Sequence, residues 1–132
     1  MKSNILSLCF ILFVLVSLWG CEKDPGEGGS ASIRGMVHVT DYNATFQVIQ
    51  DEYPGRDEDV FIIYGDDYSF SDRTRTSYDG KFEFKYLREG DYKIYVYSED
   101  TSIEGTAVVL VPVEIKGKND KVDIGTLEIK KN

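Results

Sequence analysis

The chain has little of the residues that usually carry catalysis or covalent cross-links. It contains one histidine, two cysteines and three prolines in 132 residues. His38 has no partner nucleophile within a recognisable motif, and no nucleophile-elbow pattern surrounds Ser98, Thr101 or Ser102. We therefore expect a domain that is not an enzyme.

Basic residues are also scarce. The chain has 15 Lys and Arg residues and 23 Asp and Glu residues, which gives a formal net charge of −8. An acidic surface repels the phosphates of nucleic acids and the headgroups of anionic lipids. We therefore do not expect nucleic acid as a partner, and any membrane association should come from acyl chains.

The amino terminus has the order of a secretory signal. Met1 and Lys2 precede an apolar run, residues 5–19, which is broken only by Ser7 and Ser17. The run is shorter than the roughly 20 residues that a membrane-spanning helix needs, and the small residue Gly20 follows it. We predict that residues 1–20 are a cleaved signal peptide.

Cleavage there removes Cys9 and leaves Cys21 as the first residue and only cysteine of the mature chain. No internal disulfide is then available, so the domain must be stable by burial alone. The residues after Cys21 are acidic and glycine-rich and offer little to bury, which predicts a flexible tether over residues 21–31. A domain is expected over residues 32–132.

The segment Leu18-Trp19-Gly20-Cys21 resembles the lipobox of bacterial lipoproteins, with Trp19 as a departure from the usual pattern. The resemblance implies that Cys21 carries the lipid anchor. The Lys and acidic residues that follow resemble the export tags of surface lipoproteins in Bacteroidetes-type bacteria. They imply an outer-membrane lipoprotein exposed on the cell surface, with a periplasm-facing position as the alternative.

From residue 32 onward, apolar residues alternate with period two and show no sustained helical spacing, which indicates an all-β domain. Phe82 and Phe84 share one parity, as do Tyr92, Ile94 and Val96. About seven short strands are expected, which is typical of a single antiparallel sandwich of two sheets.

Glycine, proline and other turn-forming residues predict where turns, loops and bulges occur. Asp79-Gly80 predicts a tight hairpin with a primed turn, and residues 51–59 read as a polar acidic loop. Pro112 cannot donate to a ladder and belongs at an edge or bulge, and a change of phase across Gly125 predicts a β-bulge.

Residues 76–94 contain Asp-Gly, Phe-x-Phe, Leu, a short turn with Gly, and Tyr in order. They resemble the core motif of the carboxypeptidase-regulatory-like and collagen-adhesin B-type domains, a transthyretin-like group of β-sandwiches with an Ig-like architecture. The resemblance implies a structural or binding module without catalysis. It also implies a structural corner in which Tyr92 folds back into the core. The motif residues are Asp79, Gly80, Leu87, Gly90 and Tyr92.

Two acidic clusters suggest a metal. Asp57 and Asp59 lie in one cluster and Asp66 and Asp67 in the other, and two loops at one end of a sandwich could together supply the oxygens that calcium needs. The spacing matches no EF-hand, and a solvated acidic rim accounts for the same residues. No other cofactor is expected.

Two surfaces suggest contact with a ligand. Tyr95 and Tyr97 share one face of a strand and could form a platform for sugar rings or protein side chains, although ordinary cross-strand packing also favours tyrosine there. The apolar run of residues 108–113 is a second candidate, with core burial as its alternative.

Together these features predict a lipid-anchored cell-envelope module that binds or scaffolds a partner without catalysis. One alternative is a glycan-binding accessory lipoprotein of a surface uptake system. The other is a calcium-dependent adhesion module. The partner is expected to be an envelope protein or a glycan.

Overall fold

The computed structural model describes residues 24–100 and 105–132. These residues form eight strands: β1 (Glu27–Tyr42), β2 (Ile49–Pro54), β3 (Asp59–Tyr64), β4 (Asp72–Arg75), β5 (Lys81–Leu87), β6 (Gly90–Glu99), β7 (Thr106–Ile115) and β8 (Lys121–Lys131). No helix in this part of the chain is long and apolar enough to cross a membrane. Residues 1–23, which include the predicted signal peptide and Cys21, and residues 101–104, which include Thr101 and Ser102, lie outside the described part.

The strands form two sheets that pack face to face, so the predicted all-β sandwich is confirmed. In sheet A, β1 pairs with β5 along its first part and with β2 along its second part. The other edge of β1 pairs with β8, and this pair is parallel, which departs from the fully antiparallel prediction. Sheet B has the order β4-β3-β6-β7.

Val37 marks the point on β1 where β5 gives way to β2. The Val37 N–H donates to the Gly80 carbonyl at 2.8 Å, and the Gly55 N–H donates to the Val37 carbonyl at 2.8 Å. A Cβ on Gly80 would lie 2.6 Å from the Val37 carbonyl oxygen, and Gly80 has a φ of +79°. Glycine is therefore required there for a close approach as well as for its backbone angle.

The turn at Gly80 is not the predicted hairpin. It closes with the Gly80 N–H donating to the Ser77 carbonyl, but it leads from β4 in sheet B to β5 in sheet A. In a primed turn formed by Asp79-Gly80, Asp79 would need a positive φ. Asp79 does not have it, so the turn is of another type, and it connects two sheets.

The core lies between the sheets and is built by alternate residues of each strand. Sheet A contributes Ile33, Val37, Val39, Phe82, Phe84, Leu87, Leu127 and Ile129. Sheet B contributes Val60, Ile62, Tyr92, Ile94, Val96, Val113 and Ile115. The predicted inward parities of β5 and β6 are therefore confirmed.

Two predicted boundaries are wrong. Residues 27–31 belong to β1 instead of a flexible tether, and Ala31 is fully buried in the core. Asp51–Pro54 belongs to β2, because it pairs with His38–Asp41.

The predicted bulge is confirmed, since β8 gains one residue between Asp123 and Thr126 and Gly125 has a φ of +76°. Pro112 lies on β7, an edge strand, as predicted.

Candidate functional site

The outward side of sheet B carries apolar side chains on three neighbouring strands. On β6, the inward positions of Tyr92, Ile94 and Val96 leave Tyr95 and Tyr97 on the opposite side. Pairing between the strands places neighbours beside them from β3 and β7. We call this surface the outer face of sheet B; its apolar residues are Phe61, Ile63, Tyr95, Tyr97, Val108, Leu110 and Pro112.

Aromatic rings pack against one another at the centre of this face. Phe61 and Tyr95 stack with their centroids 4.9 Å apart and their planes at 12°. Tyr97 lies edge-on to Phe61 at 5.5 Å and to Tyr95 at 5.7 Å, and Phe70 lies edge-on to Phe61 at 5.1 Å. Phe61 is thereby only 8% exposed although it points away from the core, while Tyr97 remains 49% exposed. These contacts restrict the position of the Tyr97 ring.

β7 extends the aromatic cluster with aliphatic side chains. Leu110 pairs with Tyr95 and Val108 with Tyr97. Leu110 is 47% exposed and Val108 is 52% exposed, whereas Val113 is buried. Core burial, the alternative for this run, therefore holds for Val113 and is wrong for Val108 and Leu110. The two candidate surfaces of the sequence form one face.

Three basic residues on the strands of sheet B border the apolar surface. Arg75 binds Asp59 at 3.1 Å and Asp57 at 3.3 Å. The hydrogen bond to Asp59 and the charges of both carboxylates raise the pKa of Arg75 above its ordinary value. Arg73 pairs with Phe61 across the strands, and Lys93 pairs with Ile63. Within the described residues, neither of these two side chains has a hydrogen bond or ion pair.

Tyr95 keeps its proton at neutral pH. Desolvation raises the pKa of Tyr95 above its ordinary value, and the neighbouring Tyr97 raises it further. The Tyr95 hydroxyl group can therefore donate as well as accept hydrogen bonds.

The four candidate calcium ligands do not meet. Asp57 and Asp59 lie where β3 begins, and Asp66 and Asp67 lie just after its end. The six residues of β3 separate the two pairs and span roughly 17 Å when extended. The described residues contain no group of three or more His, Cys, Asp or Glu side chains that could hold a metal ion. The acidic residues therefore belong to two separate ends of the sandwich.

His38 lies on the outward side of sheet A, far from the aromatic cluster. Its Nδ1 atom is 2.7 Å from Glu128 Oε2 on the neighbouring strand β8. The histidine side chain is 29% exposed and the glutamate 65% exposed. The arrangement is an ordinary cross-strand polar pair.

Tyr92 forms the predicted corner and also binds the segment before β1. Its hydroxyl donates to the Arg88 carbonyl at 2.7 Å, which confirms the expected bond to upstream backbone. The same oxygen accepts the buried Gly26 N–H at 2.9 Å. Arg88 completes the contact, because its N–H donates to the Gly26 carbonyl at 2.8 Å and its Nε–H to the Asp24 carbonyl at 2.7 Å.

Pro25 packs over the glycine of the same corner. A Cβ on Gly90 would lie 2.5 Å from the Pro25 Cγ atom. Leu87 is also part of this region, since its carbonyl oxygen would lie 2.0 Å from a Cβ on Gly29. Sequence reasoning identified Gly90, Leu87 and Tyr92 but missed Pro25, Gly26 and Gly29. A glycine-rich segment is typical of a flexible tether and also of backbone that packs closely against other backbone. Composition alone therefore does not distinguish the two.

No family model and no curated protein matches this chain. Among solved structures, it is similar to a protein from Pseudomonas aeruginosa that is proposed to bind carbohydrate. The two share 13% identity over 80% of this chain and 91% of the other, with a TM-score of 0.44. It is also similar to an (S)-allantoin synthase at 8% identity over 75% of this chain and 42% of that one, with a TM-score of 0.36. The functional argument therefore depends on the surface of this chain itself.

Proposed function

We propose that this protein is a lipid-anchored, non-catalytic binding module of the cell envelope, and that it holds its partner on the outer face of sheet B. The supporting observation is the exposed apolar surface that Tyr97, Val108 and Leu110 form around the stacked Phe61 and Tyr95. The largest contiguous apolar patch on the surface of a monomer is often a functional site.

The opposite surface of the sandwich supports this choice by contrast. On the outward side of sheet A, Arg34 lies between Asp123 and Glu83, and His38 lies beside Glu128. This part of sheet A is polar, as a strand face in contact with water usually is. It contrasts with the apolar centre of the outer face of sheet B, although Val48 and Ile49 are also exposed where β2 begins.

The non-catalytic part of the proposal has support from the polar side chains. His38 is engaged with Glu128 and lies on the side away from the aromatic cluster. Ser98 Oγ accepts the Lys130 N–H at 2.8 Å and donates to the Glu99 carbonyl. Within the described residues, His38 bonds to no hydroxyl or thiol that it could activate, and Ser98 bonds to no base.

The anchor part of the proposal is carried by Cys21, through its resemblance to a lipobox cysteine. Two residues separate Cys21 from Asp24, whose carbonyl is bound by Arg88. Three residue steps reach about 10 Å at most. An anchored chain would therefore keep the Tyr92 corner close to an outer-membrane surface, with β6 running away from it. The acidic residues after Cys21 favour the exterior side of that membrane.

Site-specific photo-crosslinking in intact cells tests the contact surface. A benzophenone amino acid replaces Tyr97 or Leu110 in the anchored protein, and Tyr78 or Tyr86 in matched controls, since both control residues are exposed outside the proposed surface. Adducts at positions 97 and 110 but not at 78 and 86 are expected. Equal adducts at all four positions, or none at 97 and 110, would contradict the proposal.

Replacement of Cys21 tests the anchor separately. The Cys21→Ser variant should lose incorporation of labelled palmitate and should leave the membrane fraction. Retention of both label and membrane association by this variant would show that Cys21 is not the anchored residue.

A further inference from the structure

We infer that the free edge of β7 receives an extended, apolar peptide segment of another protein, which pairs with it as an added strand of sheet B. The inference rests on the proposed function and names the kind of partner that the outer face of sheet B holds. It follows from the backbone groups that β7 leaves unpaired, from the uncharged side chains beside them and from a comparison with the other edge strands.

Alternate residues of β7 direct their backbone groups away from the sheet. The Gly65 N–H donates to the Asp91 carbonyl at 2.9 Å, which marks Asp91 as a residue of β6 that bonds to β3. Since alternate residues of an antiparallel strand bond to opposite neighbours, Tyr92 bonds to β7, where it pairs with Val113. Every second residue of β7, counted back from Val113, therefore bonds to β6. The residues whose N–H and C=O groups face the free edge are Thr106, Val108, Leu110, Pro112 and Glu114.

The backbone groups on this edge have no partner in the sandwich. Thr106, Val108 and Leu110 each offer an N–H donor and a C=O acceptor, whereas Pro112 offers an acceptor only. β7 pairs with β6 alone, and no hydrogen bond within the described part of the chain reaches these groups. A row of unpaired donors and acceptors along an exposed edge is a template for one further extended strand.

The side chains beside this edge carry no charge. Residues 106–113 contain no Asp, Glu, Lys or Arg. Val108 and Leu110 are about half exposed on the outer face, and Val109 and Val111 are partly exposed on the inner side, where they pack against the core. Both rows of side chains on an added strand would therefore have apolar neighbours, and pairing would remove apolar surface from water on both sides of the sheet.

The other edge strands carry the features that usually prevent such pairing. Short length, charged side chains, proline and bulges protect edge strands in native proteins. β4 has four residues, three of them charged, and β2 contains Asp51 and Glu52 beside the terminal Pro54. The outward residues of β5 are charged, and β8 has charged residues at both ends and a bulge at Gly125. Among the strands that the structure describes, β7 has the longest uncharged run.

A second copy of this chain does not fit this edge within one membrane. β7 ends near the anchor, because Ile115 pairs with Gly90 and Pro25 packs over Gly90. Two identical edges pair only in antiparallel orientation, about a two-fold axis perpendicular to the strands. The anchored ends of the two chains would then point in opposite directions, whereas the proposed anchors lie in one membrane. The occupant is therefore a strand of another protein.

A proline variant tests the dependence on backbone donors. Val108→Pro removes one N–H from the free edge of β7 while it keeps an apolar side chain and the bonds to β6. Adducts are collected on intact cells from a benzophenone amino acid at position 97 of the anchored protein. Val108→Pro should reduce the yield of adducts by about tenfold or more, because one ladder bond is lost and the added strand is disrupted.

Glu83→Pro is the matched control on another edge. The Val37 N–H donates to the Gly80 carbonyl, so Phe82 also bonds to β1 and the Glu83 N–H faces the free edge of β5. This variant loses the same kind of donor in the other sheet and should leave the yield of adducts unchanged.

Each result of this comparison has a defined meaning. Equal yields in Val108→Pro and the parent chain would overturn the inference and leave the proposed binding surface standing. Equal losses in the two proline variants would also overturn it, since the loss would not depend on β7. Adducts that contain a second copy of this chain in place of another protein would overturn it as well. Absence of adducts in the parent chain would contradict the proposed function itself.

Hydrogen exchange tests the added strand without a substitution in β7. The adduct formed at position 97 is purified in detergent, and its amide exchange is compared with that of the anchored chain alone. Exchange at the Val108 and Leu110 amides should slow by about tenfold or more in the adduct, while exchange at the Glu83 amide should not change. Unchanged exchange at Val108 and Leu110 would show that the partner covers the face without pairing with β7, which would overturn the inference.

Discussion

The hydroxyl of Tyr92 accepts the N–H of Gly26, a residue 66 positions earlier in the chain, at 2.9 Å in a buried position. The same hydroxyl donates to the Arg88 carbonyl. One side chain thereby closes the corner between β5 and β6 and fixes the segment that leads towards Cys21. Burial raises the pKa of Tyr92, so the hydroxyl keeps its proton at neutral pH.

Removal of this hydroxyl should destabilise the domain and release the segment before β1. The Tyr92→Phe variant leaves the Gly26 N–H and the Arg88 carbonyl without that partner, at an expected cost of about 1–3 kcal/mol in the free energy of unfolding. Urea denaturation measures the loss, and hydrogen exchange at the Gly26 amide should accelerate. Tyr97→Phe, which removes an exposed hydroxyl, is the control and should change stability by less than about 0.5 kcal/mol. Equal stability of the two variants would contradict this role.

Two glycines with almost the same φ separate backbone strain from packing against Pro25. Gly90 has a φ of +139° and its added Cβ would lie 2.5 Å from the Pro25 Cγ atom; Gly105 has a φ of +135° and nothing within 4 Å. Alanine at either position is strained by the positive φ, but only Gly90→Ala also displaces Pro25. Its free energy of unfolding should be lower than that of Gly105→Ala by about 1 kcal/mol or more, measured by urea denaturation. A similar loss in both variants would mean that Pro25 is not held against the corner.

Tyr86 has a φ of +59° and is 71% exposed. It lies where the pairing of β5 with β1 shifts between Phe84 and Leu87. The left-handed conformation costs a non-glycine residue about 1–2 kcal/mol, so Tyr86→Gly should stabilise the domain by about 0.5–1 kcal/mol after the entropy cost of glycine. Thermal unfolding measures the change. Tyr68→Gly, at a fully exposed position without positive φ, should give no gain, and a gain in both variants would contradict the explanation.

The Tyr64 phenol should lose its proton at a higher pH than an ordinary tyrosine does. Burial, followed by the nearby Glu27 and Asp72, raises its pKa to about 12. Because the pKa in the folded state exceeds that in the unfolded state, the contribution of Tyr64 to stability is complete below pH 10 and is lost as the pH rises through 12. The phenolate absorbance lost in Tyr64→Phe should therefore appear near pH 12, with Tyr68→Phe as the control for removal of an exposed phenol. An absorbance difference centred near pH 10 would rule out this environment for Tyr64.

Local patterns in the sequence were sufficient for much of the fold. The alternation in β5 and β6, the corner at Tyr92 and the bulge at Gly125 each depend on residues close together in the chain. The parallel pairing of β1 with β8 could not be predicted in this way, because Val37 and Leu127 come together only through the whole topology. Residues 27–31 were missed since Gly29 is required by the carbonyl of Leu87, a distant residue.

The candidate site was predicted in part for a similar reason. Period two placed Tyr95 and Tyr97 on one side of β6, but it does not tell which side of a doubly apolar strand is covered. Val108 and Leu110 could therefore be assigned to the surface only once β7 was seen at the edge of sheet B. The separation of Asp59 from Asp66 likewise depends on the straight path of β3 between them.

Hydroxyl-radical footprinting on intact cells tests the central claim, that the outer face of sheet B is the binding surface. Oxidation of Tyr97, Val108 and Leu110 is compared between the anchored protein on cells and the purified chain, with Tyr78 and Tyr86 as internal references. We predict that the three residues of the face are protected on cells while the two references react equally in both samples. Equal oxidation of Tyr97, Val108 and Leu110 in the two samples would contradict the account.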